Sequence, residues 1–249
     1  MLVAAAVCPC PPLLVPEVAA GAAPELDALR ASCADAIGVL AASRPDRLVV
    51  IGPADRPRRG AFAEGATGSF RPFGVALDVR LGSERGAAAE ATAEPAAEAA
   101  AEPARTLPPS LAVAAWLLRG WHAAPVEGLG VGEQLEQPSC AAAGRAVAEA
   151  AGRVALLVMG DGSACRTVKA PGYLDERAGP FDVAVTAALA AADTDALTAL
   201  DAGLADALKV SGRAPWQVLA GAAQGAGLAG ELLYEAAPYG VGYAVATWT

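Results

Sequence analysis

The chain has 249 residues, of which 55% are apolar, and it carries a formal net charge of −9. Such a chain can bury one large core, so we expect a single domain over residues 1–249. The negative charge argues against a nucleic-acid partner, because a phosphate-binding surface needs clustered basic residues. No apolar stretch reaches the ~20 residues needed to cross a bilayer, so no membrane span is expected. Five cysteines without a secretory signal favour the reducing cytoplasm.

The predicted elements of the first third alternate between strands and helices. Residues 2–7 form an apolar run that reads as a buried strand and ends at the proline-rich sequence CPCPP. Apolar residues at three- and four-residue spacing predict a helix over 24–43. The continuous apolar run at 47–55 predicts a strand buried on both faces. The alternating pattern at 75–82 predicts a strand near a sheet edge.

A segment rich in alanine and glutamate at about 84–106 is expected to be a mobile surface insertion, because Glu-Pro pairs interrupt it and it offers mainly alanine to bury. Regular elements resume after it. The patterns predict helices at 108–121, 139–152, 180–192, 194–208 and 214–227, and strands at 153–162, 232–235 and 241–248. The alternation predicts a three-layer α/β/α domain with a central mixed, mostly parallel sheet.

Few residues of the chain carry obvious chemistry. Cys8 and Cys10 follow the first predicted strand, and α/β proteins place ligands where parallel strands end. A Cys-x-Cys pair alone is not a zinc signature, because a second pair at the required spacing is absent from the sequence. His122 is the only histidine, so one chain cannot supply two histidine ligands, and we expect it at the surface near a helix end.

Two glycine-containing motifs are interpreted as turns. GVG at 240–242 lacks the third glycine of a dinucleotide fingerprint, and a predicted strand follows it instead of a helix. GDGSACR at 160–166 has neither the length nor the Lys-Ser/Thr ending of a phosphate-binding loop. Neither motif therefore predicts a nucleotide site.

Four strand-end sequences occur in the order found in one known family. They are PCPPLLVPEV at 9–18, VVIGPA at 49–54, GDGSACR at 160–166 and YEAAPYGVGY at 234–243. Together with PPSLAVAAWLL at 108–118, they resemble the class III extradiol ring-cleavage dioxygenase superfamily, and most of all its Memo-like branch. The similarity runs from about residue 3 to 246 and leaves the Ala/Glu-rich insertion unmatched.

The resemblance implies a lost metal site. In active relatives, two histidines and a carboxylate hold non-haem Fe(II), which binds a catecholate and O₂, while a third histidine acts as acid/base. Matched position by position, this chain has Cys10, Ala54 and Ala164 where the histidines belong, and Glu235 in the carboxylate motif. Alanine offers no lone pair to a metal. The resemblance therefore implies that ordinary Fe(II)-dependent ring cleavage has been lost.

Three functions stay open at this point. The first is a binding or interaction scaffold without a cofactor, which takes a small molecule or a protein partner. The second is an enzyme with a rebuilt site, which binds zinc or another thiophilic metal or uses a cysteine nucleophile on a small molecule. The third is a dioxygenase chain whose missing ligands come from a partner chain, including a homo-oligomer. Candidate catalytic residues are Cys10, Cys165, Asp161 and Ser163, and additional candidate metal ligands are Cys8 and Asp55.

Overall fold

The computed structural model describes residues 1–82, 105–150 and 152–249. Apart from residues 105 and 106, the predicted insertion lies outside these ranges. The described strands are β1 (Leu2–Cys8), β2 (Arg47–Pro53), β3 (Gly60–Phe62), β4 (Thr67–Ser69), β5 (Asp78–Arg80), β6 (Val126–Val131), β7 (Val154–Met159), β8 (Gly230–Ala236) and β9 (Tyr243–Trp248). Nearly every residue of β1, β2 and β7 is buried, as their uninterrupted apolar sequences predict.

A seven-stranded mixed sheet organises these elements, in the order β3-β6-β2-β7-β1-β9-β8. The four central strands β6, β2, β7 and β1 are parallel to one another, whereas β3, β9 and β8 pair antiparallel with their neighbours. In register, Val50 of β2 and Ala6 of β1 both lie opposite Leu157 of β7. The predicted α/β fold with a mixed sheet and a parallel centre is confirmed.

Helices cover both faces of the sheet. They are α1 (Pro16–Ala19), α2 (Asp27–Ala42), α3 (Pro109–Leu117), α4 (Gln137–Glu149), α5 (Ala178–Ala191), α6 (Thr194–Thr198), α7 (Ala202–Ala207) and α8 (Arg213–Ala223). Alternate residues of each strand face opposite layers, so Ala6 packs in the core with α2 and α3, while Val7 packs in the core with α4, α5 and α8. Each fully buried leucine or valine contributes about 1.5–3 kcal/mol to this packing. No described helix is long and apolar enough to cross a bilayer.

Two predicted elements differ in the structure. The strand predicted at 75–82 contains only Asp78–Arg80, and it is an edge strand that pairs with β4 in a separate two-stranded sheet. The helix predicted at 194–208 is divided into α6 and α7, because the carboxylate of Asp201 accepts a hydrogen bond from the Leu204 N–H and starts a new helix there. His122 is exposed after α3, as expected.

Strand β6 was not predicted, although it lies inside the parallel sheet. Its sequence VEGLGV contains a glutamate and two glycines, which weaken the apolar pattern of a buried strand. The glycines permit close packing. A Cβ on Gly130 would lie 2.4 Å from the carbonyl oxygen of Arg58 and 2.9 Å from the Cβ of Ala54. The glycine therefore lets the segment after β2 lie directly against β6.

Candidate functional site

A cleft of about 390 Å³ opens at the carboxyl ends of the parallel strands. Open α/β sheets commonly bind ligands at this edge. The segments that follow β1, β2 and β6 form much of its wall, together with the start of α3 and the loop before α8. Its lining includes Cys10, Ala54, Asp55, Arg58, Arg59, Glu133, Gln134 and Ser211.

Asp161 connects the strand ends beside the cleft. It follows β7, which lies between β1 and β2, and its Oδ1 accepts a hydrogen bond from the Cys10 N–H at 2.7 Å. The Asp161 N–H in turn donates to Ser211 Oγ at 3.0 Å. Removal of the carboxyl from water raises the pKa of Asp161 to about 6, while the hydrogen bonds from Cys10 oppose this rise. The loops after β1 and β7 are thus joined through one carboxylate.

The Cys10 thiol lies at the cleft, where it is 8% exposed. Burial, followed by the negative charge of Asp161, raises the pKa of Cys10 well above its ordinary value. A thiol with a raised pKa stays protonated near neutral pH and is a poor nucleophile. Cys10 therefore lacks the activation that the cysteine-nucleophile hypothesis requires.

The other two candidate cysteines do not line this cleft. Cys8 is fully buried in the core that contains α2, and a hydrogen bond with Cys33, followed by burial, raises its pKa. Cys165 is 1% exposed, and its Sγ donates to the Leu208 carbonyl at 3.5 Å. Burial also raises the pKa of the Cys165 thiol. Cys8 and Cys165 are packed in the two cores, so the three cysteines named as candidates for a rebuilt site do not share one cavity.

Two arginines and Asp55 follow β2 at the cleft wall. The Arg58 guanidinium donates to both carboxylate oxygens of Asp55, at 2.6 and 2.7 Å, and this pair holds the pKa of Asp55 below its usual value. The Nε of the next residue, Arg59, lies 3.5 Å from the Ala54 carbonyl oxygen. The Ala54 methyl group is 7% exposed between these polar groups.

The two motifs interpreted as turns contact each other. The Gly162 N–H donates to the Gly242 carbonyl at 2.7 Å, and the Gly242 N–H donates to the Ser163 carbonyl at 2.8 Å. Asp182 of α5 lies beneath them, where its carboxylate accepts hydrogen bonds from the Ser163 N–H and hydroxyl and pairs with Arg166 at 3.0 Å. The candidate catalytic Ser163 is fully buried, and its hydroxyl is engaged in this network. In the structure, Ser163 joins the loop at 160–166 to the loop at 240–242.

Ala164 and Glu235, the remaining matched positions, are not among the described residues that line the cleft. The Ala164 N–H donates to the Leu208 carbonyl, which directs this segment toward α7. Glu235 lies on β8, two strands from β1, or about 10 Å across the sheet. Its exposed side chain lines a smaller cavity that Asp182 also borders. The four matched positions therefore share one edge of the sheet, but only Cys10 and Ala54 share the cleft.

The donor set at this edge does not fit a facial triad for Fe(II). Such a triad needs three donor side chains around one point. Cys10 offers a protonated thiol, Ala54 offers a methyl group, and Glu235 lines a different cavity. Within residues 1–82, 105–150 and 152–249, no group of three or more His, Cys, Asp or Glu side chains is arranged to hold a metal ion.

Sequence reasoning missed the part of the cleft that follows β6. Glu133 and Gln134 line it there, in a segment that hydrogen-bonds to a residue of α8. The guanidinium of Arg213, which is 3% exposed, donates to the carbonyls of Glu133 and Leu135 and to the side-chain oxygen of Gln217. The only available signal was an arginine in a largely apolar helix, which indicates a buried polar network but does not identify its partners outside the helix.

Comparisons with known proteins show the fold alone. No protein-family model and no curated protein matches the chain. The crystal structure of an uncharacterized protein from Escherichia coli K12, JW3007, is similar over 99% of both chains, with a TM-score of 0.56 and 15% sequence identity. The similarity covers the described sheet and the helices on both of its faces.

Proposed function

We propose that this chain is an extradiol dioxygenase-like protein that has lost Fe(II)-dependent ring cleavage and acts as a binding scaffold for a small molecule. One observation carries the proposal. Cys10 and Ala54, which match two histidine ligands of active relatives, line one cleft at the carboxyl ends of the parallel strands.

The chemistry at the two positions supports the loss of iron. Replacing an imidazole with the Ala54 methyl group removes a donor, and the raised pKa of Cys10 keeps the other donor protonated. Disturbing groups that only contact a ligand already costs 10–100-fold in metal affinity or activity. Losing the ligands themselves should cost more, so the proposed scaffold holds Fe(II) too weakly for ring cleavage.

The cleft supports binding of a small molecule. Its volume of about 390 Å³ lies within the range of 300–1,000 Å³ that is usual for small-molecule sites. Its lining combines apolar groups near Cys10 and Ala54 with charged groups on Arg58, Arg59 and Glu133. We place the scaffold in the cytoplasm, a proposal that the five free thiols support.

Metal content and catechol cleavage test the loss of iron. Protein purified without chelator should contain far less than one iron per chain, and it should not cleave catechol after anaerobic loading with Fe(II). Stoichiometric iron together with ring cleavage would overturn the proposal.

The double variant Cys10→His/Ala54→His tests the kinship. If the two positions are former ligand sites, restoring both imidazoles should tighten Fe(II) binding at least about 10-fold, by analogy with the sensitivity of metal sites to their ligands. His122→Ala is the control for iron bound to the surface. An unchanged affinity in the double variant would reject the assignment of these positions as former iron ligands.

A further inference from the structure

The two arginines of the cleft differ in their partners. Arg58 is engaged by Asp55 through two hydrogen bonds. Arg59 forms no ion pair with any carboxylate of the described residues, and the only described hydrogen bond of its side chain is the long one from Nε to the Ala54 carbonyl. The terminal N–H groups of Arg59 are therefore the cationic donors that the cleft has left for a ligand.

A glycine holds the Arg59 guanidinium at the wall of the cleft. A Cβ on Gly132 would lie 2.5 Å from Nε and Cζ of Arg59 and 2.9 Å from Nη2, so the guanidinium lies directly on the Gly132 backbone. Gly132 follows β6, and the preceding residue, Val131, accepts a hydrogen bond from the Ala54 N–H at 2.7 Å. That backbone bond fixes the ends of β2 and β6 relative to each other. The position of the guanidinium therefore depends on a residue without a side chain.

We propose that Arg59 is the anion anchor of the cleft and binds the oxyanion of a small molecule, a carboxylate or a phosphate, whose uncharged part lies toward Cys10 and Ala54. This inference rests on the proposed binding function. The planar fork of a guanidinium matches two oxygens of such a group. Asp55 is paired with Arg58, and Glu133, the other carboxylate among the described residues that line the cleft, forms no ion pair with Arg59.

Titration with inorganic phosphate and with acetate, at constant ionic strength and pH 7.5, tests the anchor. Arg59 Nε–H and the backbone amide of residue 132 should show a saturable NMR shift with a millimolar dissociation constant, and the tighter of the two anions identifies the ligand as a phosphate or a carboxylate. The amide of residue 132 reports binding in every variant. Gly132→Ala, which displaces the guanidinium without removing it, should weaken binding at least 5-fold. Arg59→Gln should abolish binding. The matched control Arg56→Gln, which removes the same charge from the same segment at a residue that does not line the cleft, should change it less than 2-fold.

Two results would overturn the anchor. One is a wild-type Arg59 signal that does not saturate with either anion. The other is an equal loss of binding in Arg56→Gln and Arg59→Gln, which would mean that anion binding depends on the net charge of this region and not on Arg59 itself. These results differ from a failure of the proposed function. Iron-dependent ring cleavage would overturn that function whether or not Arg59 binds the anion.

Discussion

Replacing Asp161 with asparagine should flatten the pH dependence of stability. Burial raises the pKa of this carboxyl to about 6 from an ordinary value of 3.8, so the folded protein favours its neutral form. The stabilising contribution is complete below the unfolded pKa and is lost as the pH rises through the folded pKa. A shift of this size corresponds to about 3 kcal/mol over the full range, of which about 2 kcal/mol falls between pH 4 and pH 7.5.

Urea unfolding at pH 4, 5.5 and 7.5 measures this effect. The asparagine side-chain oxygen can still accept the hydrogen bond from the Cys10 N–H, so the variant keeps the contact and loses the titration. The free energy of unfolding of Asp161→Asn, relative to wild type, should rise by about 2 kcal/mol from pH 4 to pH 7.5. Asp35→Asn, on the exposed face of α2, is the control for removal of a charge. Parallel curves for wild type and Asp161→Asn would refute the reasoning.

Three further predictions follow from packing and charge. Gly130→Ala should destabilise the protein by about 2 kcal/mol in urea unfolding, because the added Cβ would collide with the backbone of Arg58. The control Gly38→Ala in α2, where the added Cβ meets open space, should stabilise the protein by up to about 1 kcal/mol. Asp182→Asn should cost about 1–3 kcal/mol by breaking a partly buried ion pair, and an unchanged unfolding midpoint would contradict this. Cys10 should react with a disulfide reagent at pH 7.5 at least about 10-fold more slowly than free cysteine, and a faster rate would contradict its raised pKa.

The strands with simple patterns could be predicted from the sequence. β1, β2 and β7 are continuous apolar runs that end at proline or glycine, so their ends were identifiable. The meeting of Cys10 and Ala54 follows from that pattern, because carboxyl ends of parallel strands share an edge. Local sequence does not reveal strand order, and the position of Asp161 between those two residues depends on β7 pairing with both β1 and β2.

The rest of the site depends on contacts between distant segments. The glycines that obscured β6 accommodate close contacts from other segments. Arg58 and Ala54 lie against Gly130, whereas Leu81, Leu111 and Phe62 lie against Gly128. Sequence alone does not distinguish Arg59 from its neighbour Arg58 as an anion-binding residue. The contact of the Arg59 guanidinium with the Gly132 backbone, which joins distant segments, does distinguish it. Glu235 lies away from the cleft because β9 separates its strand, β8, from β1. This strand order is set by long-range pairing, which local sequence does not reveal.

The position of β1 has a consequence for biosynthesis. This strand is translated before both of its neighbours in the sheet, which end at Met159 and Trp248. Its backbone N–H and C=O groups thus stay without their native partners until β7 and β9 have also been translated. Such non-local pairing slows folding and exposes apolar edges to aggregation.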